Sequence, residues 1–266
     1  MNLKEISDLR SQVEPLCSQV GSFIASQLDK VNADDIISKD MNSLVSFVDQ
    51  QAEEKLVSSL SRLTPNAGFI TEENTVLQEQ KELTWVIDPL DGTTNFLYKI
   101  PHFSISVALM KGEELIYGTI HEIMLNKAYS AIKGHGAWEG GKPIRVNKQS
   151  NKAVALVSTG FPYQRDDRVE ERMQVFKKCI TDYRGIRRLG SAALDLAYVA
   201  SGKYDLFYEN TLNIWDIAAG VLLVEEAGGK VFDFNGDKNY LNNGGVIAGN
   251  PLLIDDLLQD VRKSLA

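Results

Sequence analysis

The sequence predicts an α/β fold in which layers of helices surround two β-sheets. Three observations support this fold class. Apolar side chains recur at steps of three and four over residues 3–28 and 45–63, residues 69–146 are rich in short strands, and residues 153–266 alternate strands with helices. A polar stretch at 147–152 divides the chain into an N-terminal α+β part, residues 1–150, and a C-terminal α/β part, residues 151–266.

The N-terminal part is expected to begin with two amphipathic helices, the second of which ends at a turn over residues 64–68. Short strands follow at residues 69–70 and 83–87. Pro89 is expected to end the second strand, because proline has no N–H to donate to a sheet ladder. Strict alternation of apolar and polar side chains then opens a meander of antiparallel strands over residues 103–146.

The C-terminal part is expected to alternate short strands with helices. Gly202 and Gly228 suit the left-handed position that ends a helix, and Pro251 suits the start of the last one. The expected helices cover residues 170–183, 191–201 and 215–227, and the expected strands cover 153–158, 186–188, 204–208, 231–234 and 246–248.

Composition excludes several classes of protein. The 266 residues include 36 acidic and 28 basic side chains, a net charge of −8, and no basic stripe of the kind that a nucleic-acid binder carries. A hydrophobic content of 44% argues against disorder. Cys17 and Cys179 have no CxxC spacing, which argues against a zinc site or a disulfide framework. With no apolar run near the length of a membrane span and a charged N-terminus, we expect a soluble cytoplasmic protein.

The segment most informative about chemistry is 88–95, which reads Asp-Pro-Leu-Asp-Gly-Thr-Thr-Asn. It follows a strand of buried character, so Asp88 and Asp91 lie three residues apart across a turn and are able to face one point. Gly92 and the residues after it offer backbone amides for an anion. A metal ion beside a phosphate suits this set, although Asp-Pro and Asp-Gly are also common in plain solvated turns.

Two more acidic residues occupy comparable positions. Glu72 follows the strand at 69–70, and Asp216 begins the helix at 215–227. Taken singly, Glu72 also fits a surface charge or helix cap, and Asp216 fits an acid favoured by the helix dipole. Together with Asp88 and Asp91 they favour a metal site made of hard oxygen ligands, which suits Mg²⁺ or Mn²⁺ better than zinc.

The chain resembles the inositol monophosphatase family, and bacterial members of it most closely. The resemblance is carried by segment 88–95, by segment 215–220 (Trp-Asp-Ile-Ala-Ala-Gly), by the acidic pair 72–73 and by the loop segment 188–197. It implies magnesium-dependent, lithium-sensitive hydrolysis of a small phosphate monoester. It also implies a layered αβαβα sandwich, with an antiparallel N-terminal sheet, a second mixed sheet and helices between and outside, and a homodimer.

The resemblance further implies a role for individual residues in the metal site. Two or three Mg²⁺ ions are expected per site, with Mn²⁺ as a possible substitute. Glu72, Asp88 and the Leu90 carbonyl would hold the first ion. Asp88, Asp91 and Asp216 would hold the second. The summed charge of −4 on these carboxylates equals that which two divalent ions neutralise.

The implied catalytic pair is Asp49 with Thr93, which would orient and deprotonate the attacking water. The alternative for Asp49 is a plain helix cap before residues 50–63. The resemblance implies phosphate binding by the amides of the 92–94 turn and contacts with the substrate alcohol from the 190–192 loop, from Asp91 and from Glu209; Glu209 equally suits a solvated strand end. The substrate residues are therefore Asp91, Gly92, Thr93, Thr94, Gly190, Ser191, Ala192 and Glu209.

The substrate expected from the resemblance is a small phosphorylated polyol or sugar, inositol-1-phosphate first. No Ser or Cys nucleophile motif is present, so direct attack by water is expected. Phosphatases acting on 3′-phosphoadenosine nucleotides, fructose bisphosphate or histidinol phosphate share the metal core and remain alternatives. So does a regulatory role in ribosomal RNA transcription complexes, for which the only sequence signal is a small basic cluster at residues 184–188.

Overall fold

The computed structural model describes residues 1–30, 41–161 and 168–265. The sequence has Phe161 and Pro162 where animal members of the family that it resembles have small polar residues, and Pro162 lies outside the described residues. The described helices are α1 (Leu3–Gln27), α2 (Met41–Leu63), α3 (Thr93–Leu97), α4 (Val169–Asp182), α5 (Ala192–Ala200), α6 (Ile214–Glu226), α7 (Tyr240–Asn243) and α8 (Ile254–Leu265).

The first sheet has the strands in chain order, from β1 to β7. They are β1 (Gly68–Thr71), β2 (Leu83–Asp91), β3 (Ser104–Lys111), β4 (Glu114–Glu122), β5 (Lys127–Ile132), β6 (Gly136–Glu139) and β7 (Lys142–Ile144). All neighbouring pairs are antiparallel except β1 with β2, which is parallel. The predicted antiparallel sheet is therefore correct for six strands and wrong for β1, because the loop at 72–82 carries the chain back before β2 begins.

The second sheet is mixed, as predicted. Its strands are β8 (Leu156–Thr159), β9 (Gly185–Arg187), β10 (Leu206–Glu209), β11 (Lys230–Phe232) and β12 (Val246–Gly249), in the spatial order β11-β12-β10-β8-β9. β10 pairs in parallel with β8 and β8 with β9, whereas β12 is antiparallel to both β10 and β11.

Three hydrophobic cores give the five layers of an αβαβα sandwich. The first core lies between the α1–α2 pair and the first sheet, the second surrounds α5 and α6 between the sheets, and the third lies between the second sheet and the α4–α8 pair. The predicted fold class is confirmed. The division of the chain near residue 150 stays a prediction.

Helix α6 approaches the first sheet closely at one point. A Cβ atom on Gly118 of β4 would lie 2.9 Å from the Ala219 Cα atom and 3.1 Å from the Ala219 carbonyl oxygen. Both are backbone atoms, so even a methyl group at residue 118 would push the helix away. The hydrogen of a glycine therefore sets the distance between α6 and β4.

Two local expectations are wrong. Strand β2 does not end before Pro89 but continues to Asp91, because its pairing with β3 shifts register between Asp88 and Asp91 where the proline lacks an N–H. The last helix begins at Ile254 rather than at Pro251, because the Asn250 carbonyl accepts the amides of Leu253 and Ile254 and closes a turn first.

Candidate active site

The parallel pairing of β1 with β2 brings two acidic residues to one edge of the first sheet. Thr71 at the end of β1 is opposite Ile87 of β2, and the Glu72 amide donates to the Ile87 carbonyl at 3.2 Å. Glu72 consequently follows β1 at the level where Asp88 stands in β2. An antiparallel pair would have put these two residues at opposite ends of the strands.

The bulge in β2 sets the next two groups. Asp88 is opposite Ser106 and Asp91 is opposite Ser104, so three steps on β2 match two on β3. The Leu90 amide donates to Asp88 Oδ1 at 2.9 Å, and the Leu90 carbonyl accepts the Thr93 hydroxyl at 3.0 Å. The one-residue bulge thus holds both aspartates beside the Leu90 carbonyl of the same turn.

A short helix starts directly after the bulge. Gly92 precedes α3 with φ of 97°, a left-handed conformation that glycine adopts without strain. A Cβ on Gly92 would also lie 3.1 Å from the His102 carbonyl oxygen and 3.2 Å from that of Gly190. The turn at 92–94 is therefore packed against two loops. The backbone amides in the first turn of α3 have no hydrogen-bond partner within the helix.

Asp91 also joins the N-terminal segment to the loop that begins α5. Its Oδ2 atom accepts the Ser191 hydroxyl at 2.6 Å and the Ala193 amide at 2.8 Å. Ser191 in turn caps α5 by accepting the Leu194 amide at 3.3 Å. The two halves of the chain are thus tied at the site by a charged acceptor at a helix N-terminus.

Asp216 enters the site from the first turn of α6. Its Oδ2 atom accepts the Asn213 amide at 2.6 Å in a capping box. The Ser106 hydroxyl on β3 donates to the Trp215 carbonyl at 3.1 Å and anchors this helix start to the first sheet.

These groups line one cavity of about 340 Å³ between the two sheets. Its walls are formed by Glu72, Asp88, Leu90, Asp91, Gly92, Thr93, Thr94, Gly160, Phe161, Arg188, Gly190, Ser191, Ala192, Glu209, Thr211, Leu212, Asn213 and Asp216. All predicted metal-site and substrate residues line it. Asp49, one of the predicted catalytic pair, does not.

Burial raises the pKa of every carboxyl group in the predicted metal site, and repulsion between the acids adds to it for Glu72, Asp88 and Asp216. Desolvation is the largest cause, and it raises the pKa of Glu72 to about 7, that of Asp91 to about 6 and that of Asp216 to about 8. Asp88 lies deepest, and burial followed by repulsion from Glu72 raises its pKa well above the usual range. In the absence of a cation, these four carboxyl groups therefore bind protons more tightly than they would in water.

The donor set fits a divalent metal ion with hard oxygen ligands. Among the described residues no three acidic, histidine or cysteine side chains are already gathered closely enough to hold an ion. One oxygen of Asp91 and one of Asp216 is engaged by backbone amides, and an excess of negative charge remains on the groups that line the cavity. A dication would relieve the repulsion that raises these pKa values, and side-chain rotations of the carboxylates would complete its coordination.

The comparison with known proteins decides the family. A model of the inositol monophosphatase family matches residues 5–266. The chain belongs to the inositol monophosphatase family. Membership places it among metal-dependent phosphatases that act on small phosphorylated substrates.

The relatives of this chain carry two different names, Nus factor SuhB and inositol-1-monophosphatase. The chain is 36% identical over 250 residues to the Nus factor SuhB of Pseudomonas aeruginosa, covering 92% of each protein. It is also 36% identical over 249 residues to the inositol-1-monophosphatase of Mesorhizobium japonicum, covering 93% of this chain and 94% of that one. Among solved structures, an inositol monophosphatase of Thermotoga maritima matches with a TM-score of 0.85 and 31% identity over 97% of this chain and 98% of its own.

The residues expected to form the catalytic pair are not hydrogen-bonded to each other. The Thr93 hydroxyl donates to the Leu90 carbonyl, and Asp49 Oδ1 is buried on α2 without a hydrogen-bond partner. Burial, followed by repulsion from Glu73 and Glu72, raises the pKa of Asp49 to about 8. Asp49 is thus near the acidic loop that follows β1, and its pairing with Thr93 stays a prediction.

The three histidines do not line the cavity of this phosphatase. His121 is buried under α1, where a Cβ on Gly21 would lie 2.9 Å from its ring. Burial lowers the pKa of His121 to about 4 and also lowers the pKa of His102. His135 is exposed in a turn.

Sequence reasoning missed Asn95 as a tie between loops of the site. Its Nδ2 atom donates to the His102 and Leu189 carbonyls, both at 2.7 Å, and so connects α3 to the loop before α5. No local signal identifies such a role, because Leu189 is 94 positions away. The nearest clue is that Asn95 ends the conspicuous segment 88–95.

We expect Asn95→Ala to destabilise the protein by about 2–3 kcal/mol, because it leaves two carbonyls near the site without a donor. Urea unfolding of the metal-free protein measures the change. Asn66→Ala, in an exposed turn, is the matched control and should be neutral within about 0.5 kcal/mol. Equal stability of the two variants would show that the Asn95 tie is not significant.

Among the described residues, no helix is both long enough and apolar enough to span a bilayer.

Proposed function

We propose that this protein hydrolyses the phosphate monoester of a small polyol or sugar, inositol-1-phosphate first, with Mg²⁺ as its metal. The observation that carries the proposal is the convergence of four carboxylates with the turn at 92–94 and the start of α5 on one cavity. Carboxylates suit the ion, and free amides suit a phosphate. A volume of about 340 Å³ suits a ligand of sugar size.

The metal would be held by Glu72, Asp88, Asp91, Asp216 and the Leu90 carbonyl. Bound Mg²⁺ supplies charge that accepts a phosphate and makes a water molecule more acidic. The amides at the start of α3 orient the phosphate oxygens. The Asp91–Ser191 hydrogen bond fixes the metal-site acid relative to the loop that would touch the substrate alcohol.

The proposed water-activating residues are Thr93 and Asp49. Thr93 lines the cavity, and Asp49, with its pKa raised to about 8, is able to accept or release a proton near neutral pH. In the described arrangement the Thr93 hydroxyl donates to the Leu90 carbonyl. A rotation of the Thr93 side chain would redirect this hydroxyl, and the role of the pair depends on such a change.

The alcohol side of the cavity is proposed to consist of Gly190, Ser191, Ala192 and Glu209, with Phe161 and Arg188 at its walls. Burial, followed by repulsion from Asp91, raises the pKa of Glu209 to about 8. A hydroxyl-rich ligand offers both donors and acceptors, so it is able to hydrogen-bond with Glu209 in either protonation state of that side chain.

Gly160→Ala tests this alcohol side. A Cβ on Gly160 would overlap the Glu209 carboxylate, so that carboxylate must move away. We expect KM for inositol-1-phosphate to rise roughly 3- to 10-fold, the equivalent of one weakened hydrogen bond. The KM for p-nitrophenyl phosphate, which has no polyol, should change little.

The control for this variant is Gly185→Ala, where the nearest atom to an added Cβ is 3.4 Å away. It should leave both KM values unchanged. If Gly160→Ala raises the two KM values equally, Glu209 does not contact the polyol.

A phosphate-release assay tests the function itself. The panel should hold inositol-1-phosphate, other polyol and sugar phosphates, fructose bisphosphate, histidinol phosphate and adenosine 3′,5′-bisphosphate, each with Mg²⁺ and then with EDTA. Turnover of inositol-1-phosphate that is abolished by EDTA is expected. Far faster turnover of adenosine 3′,5′-bisphosphate would replace our first substrate, and Mn²⁺ and Li⁺ in the same assay test the metal preference and lithium sensitivity.

A regulatory function is the second candidate, favoured by the 36–37% identity to proteins named Nus factor SuhB. We propose that it would coexist with the phosphatase. A pull-down with RNA polymerase and its elongation factors tests it. An Asp91→Asn variant that keeps such binding while losing phosphatase activity would show that the two functions are separable.

Two further parts of the proposal concern the state of the protein in the cell. A cytoplasmic location agrees with Cys17 and Cys179, which are both buried and unpaired. A homodimer is implied by the family, and exposed apolar side chains at Tyr98, Ile100 and Leu189 offer a surface for one. Light scattering in solution measures the oligomeric state.

A further inference from the structure

A buried carboxylate on α2 has no part in lining the cavity. Glu53 stands one helical turn after Asp49 and is fully buried, with 0% of its surface exposed. Burying an ionised carboxylate is costly unless hydrogen bonds replace its water. What replaces the water therefore indicates what this side chain does.

Within the described part of the chain, Glu53 accepts four hydrogen bonds, all from the segment that carries Glu72. Its Oε1 atom accepts the Thr71 hydroxyl at 2.8 Å, the Thr75 amide at 2.8 Å and the Thr75 hydroxyl at 2.7 Å. Its Oε2 atom accepts the Glu73 amide at 2.8 Å. These donors lie on both sides of Glu72, so one carboxylate clamps the whole turn 71–75.

The turn has other ties besides those to Glu53. Asn74 has a positive φ of 56°, and its side chain donates to the Glu72 carbonyl at 2.9 Å. On the inner side the Glu72 amide is paired with Ile87 of β2. Before Glu72, the Gln78 side chain also holds Thr71, accepting its amide at 2.7 Å and donating to its hydroxyl at 2.9 Å. After Glu72, the acceptor that the described residues offer to the amides of Glu73 and Thr75 is Glu53.

We infer that Glu53 is a positioning residue that fixes Glu72 at the cavity by holding the backbone on either side of it. Glu53 acts on the metal site without touching metal or substrate. The inference rests on the metal-ligand role proposed for Glu72. It predicts that the cost of losing Glu53 is seen in metal affinity more than in the rate at saturating metal.

The test compares Glu53→Gln with Glu54→Gln. Glutamine is able to keep an acceptor for the Thr71 and Thr75 donors, but its NH₂ group then faces the Glu73 amide, so the clamp opens on one side of Glu72. Glu54 is the neighbouring residue and is exposed, and its side chain accepts a hydrogen bond from Gln51. Its variant makes the same change of charge on the same helix. Mg²⁺ affinity is measured by isothermal titration calorimetry with Mg²⁺ alone.

We expect Glu53→Gln to raise the Kd for Mg²⁺ at least 10-fold, while kcat at saturating Mg²⁺ stays within about 3-fold of wild type. Amide exchange over residues 71–76 of the metal-free protein should become faster. Glu54→Gln should leave all three quantities unchanged. An unaltered Kd in Glu53→Gln, or a lower kcat at saturating Mg²⁺ with an unaltered Kd, overturns the inference.

A milder variant covers the case in which Glu53→Gln does not fold. Thr75→Val keeps the side-chain volume and the backbone amide but removes one donor to Glu53. A rise of at least 3-fold in the Kd for Mg²⁺ supports the positioning role, and no rise contradicts it. A wild type that binds Mg²⁺ but releases no phosphate from any substrate would overturn the proposed function and leave this inference standing.

Discussion

Asp91→Asn is expected to lower kcat/KM for the phosphate ester at least about 1,000-fold, which corresponds to roughly 4 kcal/mol of lost transition-state stabilisation. Asp91 combines the proposed metal role with a structural one. One of its oxygens accepts hydrogen bonds from the Ser191 hydroxyl and the Ala193 amide, and the residue lines the cavity. An asparagine places its NH₂ group either against these donors or into the cavity. In either orientation the anionic ligand is lost.

The fold should survive this change. Burial raises the pKa of Asp91 to about 6, so removing its charge relieves part of the repulsion in the metal-free cavity. We expect the Tm in EDTA to be close to that of wild type and the rise of Tm on adding Mg²⁺ to be lost. The matched control is Asp8→Asn on the exposed face of α1, which should behave as wild type in both assays. Near-normal turnover of Asp91→Asn in Mg²⁺ would show that the proposed metal site is wrong.

The metal-free protein is expected to lose stability as the pH rises from about 4.5 to 8. The pKa of Glu72 is raised to about 7, and those of Asp49, Glu209 and Asp216 to about 8. These groups titrate near pH 4 when the chain is unfolded, so in this range the folded protein binds more protons and stability falls with pH. A single buried acid such as Asp49 contributes about 3 kcal/mol or more to this loss.

Mg²⁺ should oppose this loss, because it binds the deprotonated carboxylates in place of protons. Urea unfolding at pH 5 and pH 8, each in EDTA and in Mg²⁺, measures the effect. We expect the gain from Mg²⁺ to be several kcal/mol larger at pH 8. Asp216→Asn should flatten the pH dependence in EDTA, and Asp8→Asn should not. Stability that rises with pH in EDTA would contradict the raised pKa values.

Much of the fold follows from periodicity. The long helices and the strand meander end within a few residues of the predicted positions, because each is governed by one buried face. The parallel pairing of β1 is different. The four residues of β1 do not indicate which strand they will pair with. The direction of pairing depends on the path of the loop at 72–82. That one unpredicted detail brings Glu72 beside Asp88.

The candidate site was predictable where its residues are close in sequence and less so where they are not. The segment 88–95 indicates its chemistry by its residue types, whereas the tie from Asn95 to Leu189 joins residues 94 positions apart. Glu53 did leave a signal. Glu53 follows Asp49 by four residues and lies beside the buried stripe of Val48, Ala52 and Leu56. A buried acid needs a hydrogen-bond partner, and the sequence does not say which one.

The contact between Gly118 and Ala219 has a consequence for how natural variation in this protein is interpreted. Ala219 lies about one helical turn after Asp216, so the distance between α6 and β4 fixes where that carboxylate enters the cavity. A substitution at residue 118, which does not line the cavity, is therefore expected to move Asp216 and to impair the site as a substitution inside the cavity would. Distance from the cavity is a poor guide to which substitutions in this protein affect its chemistry.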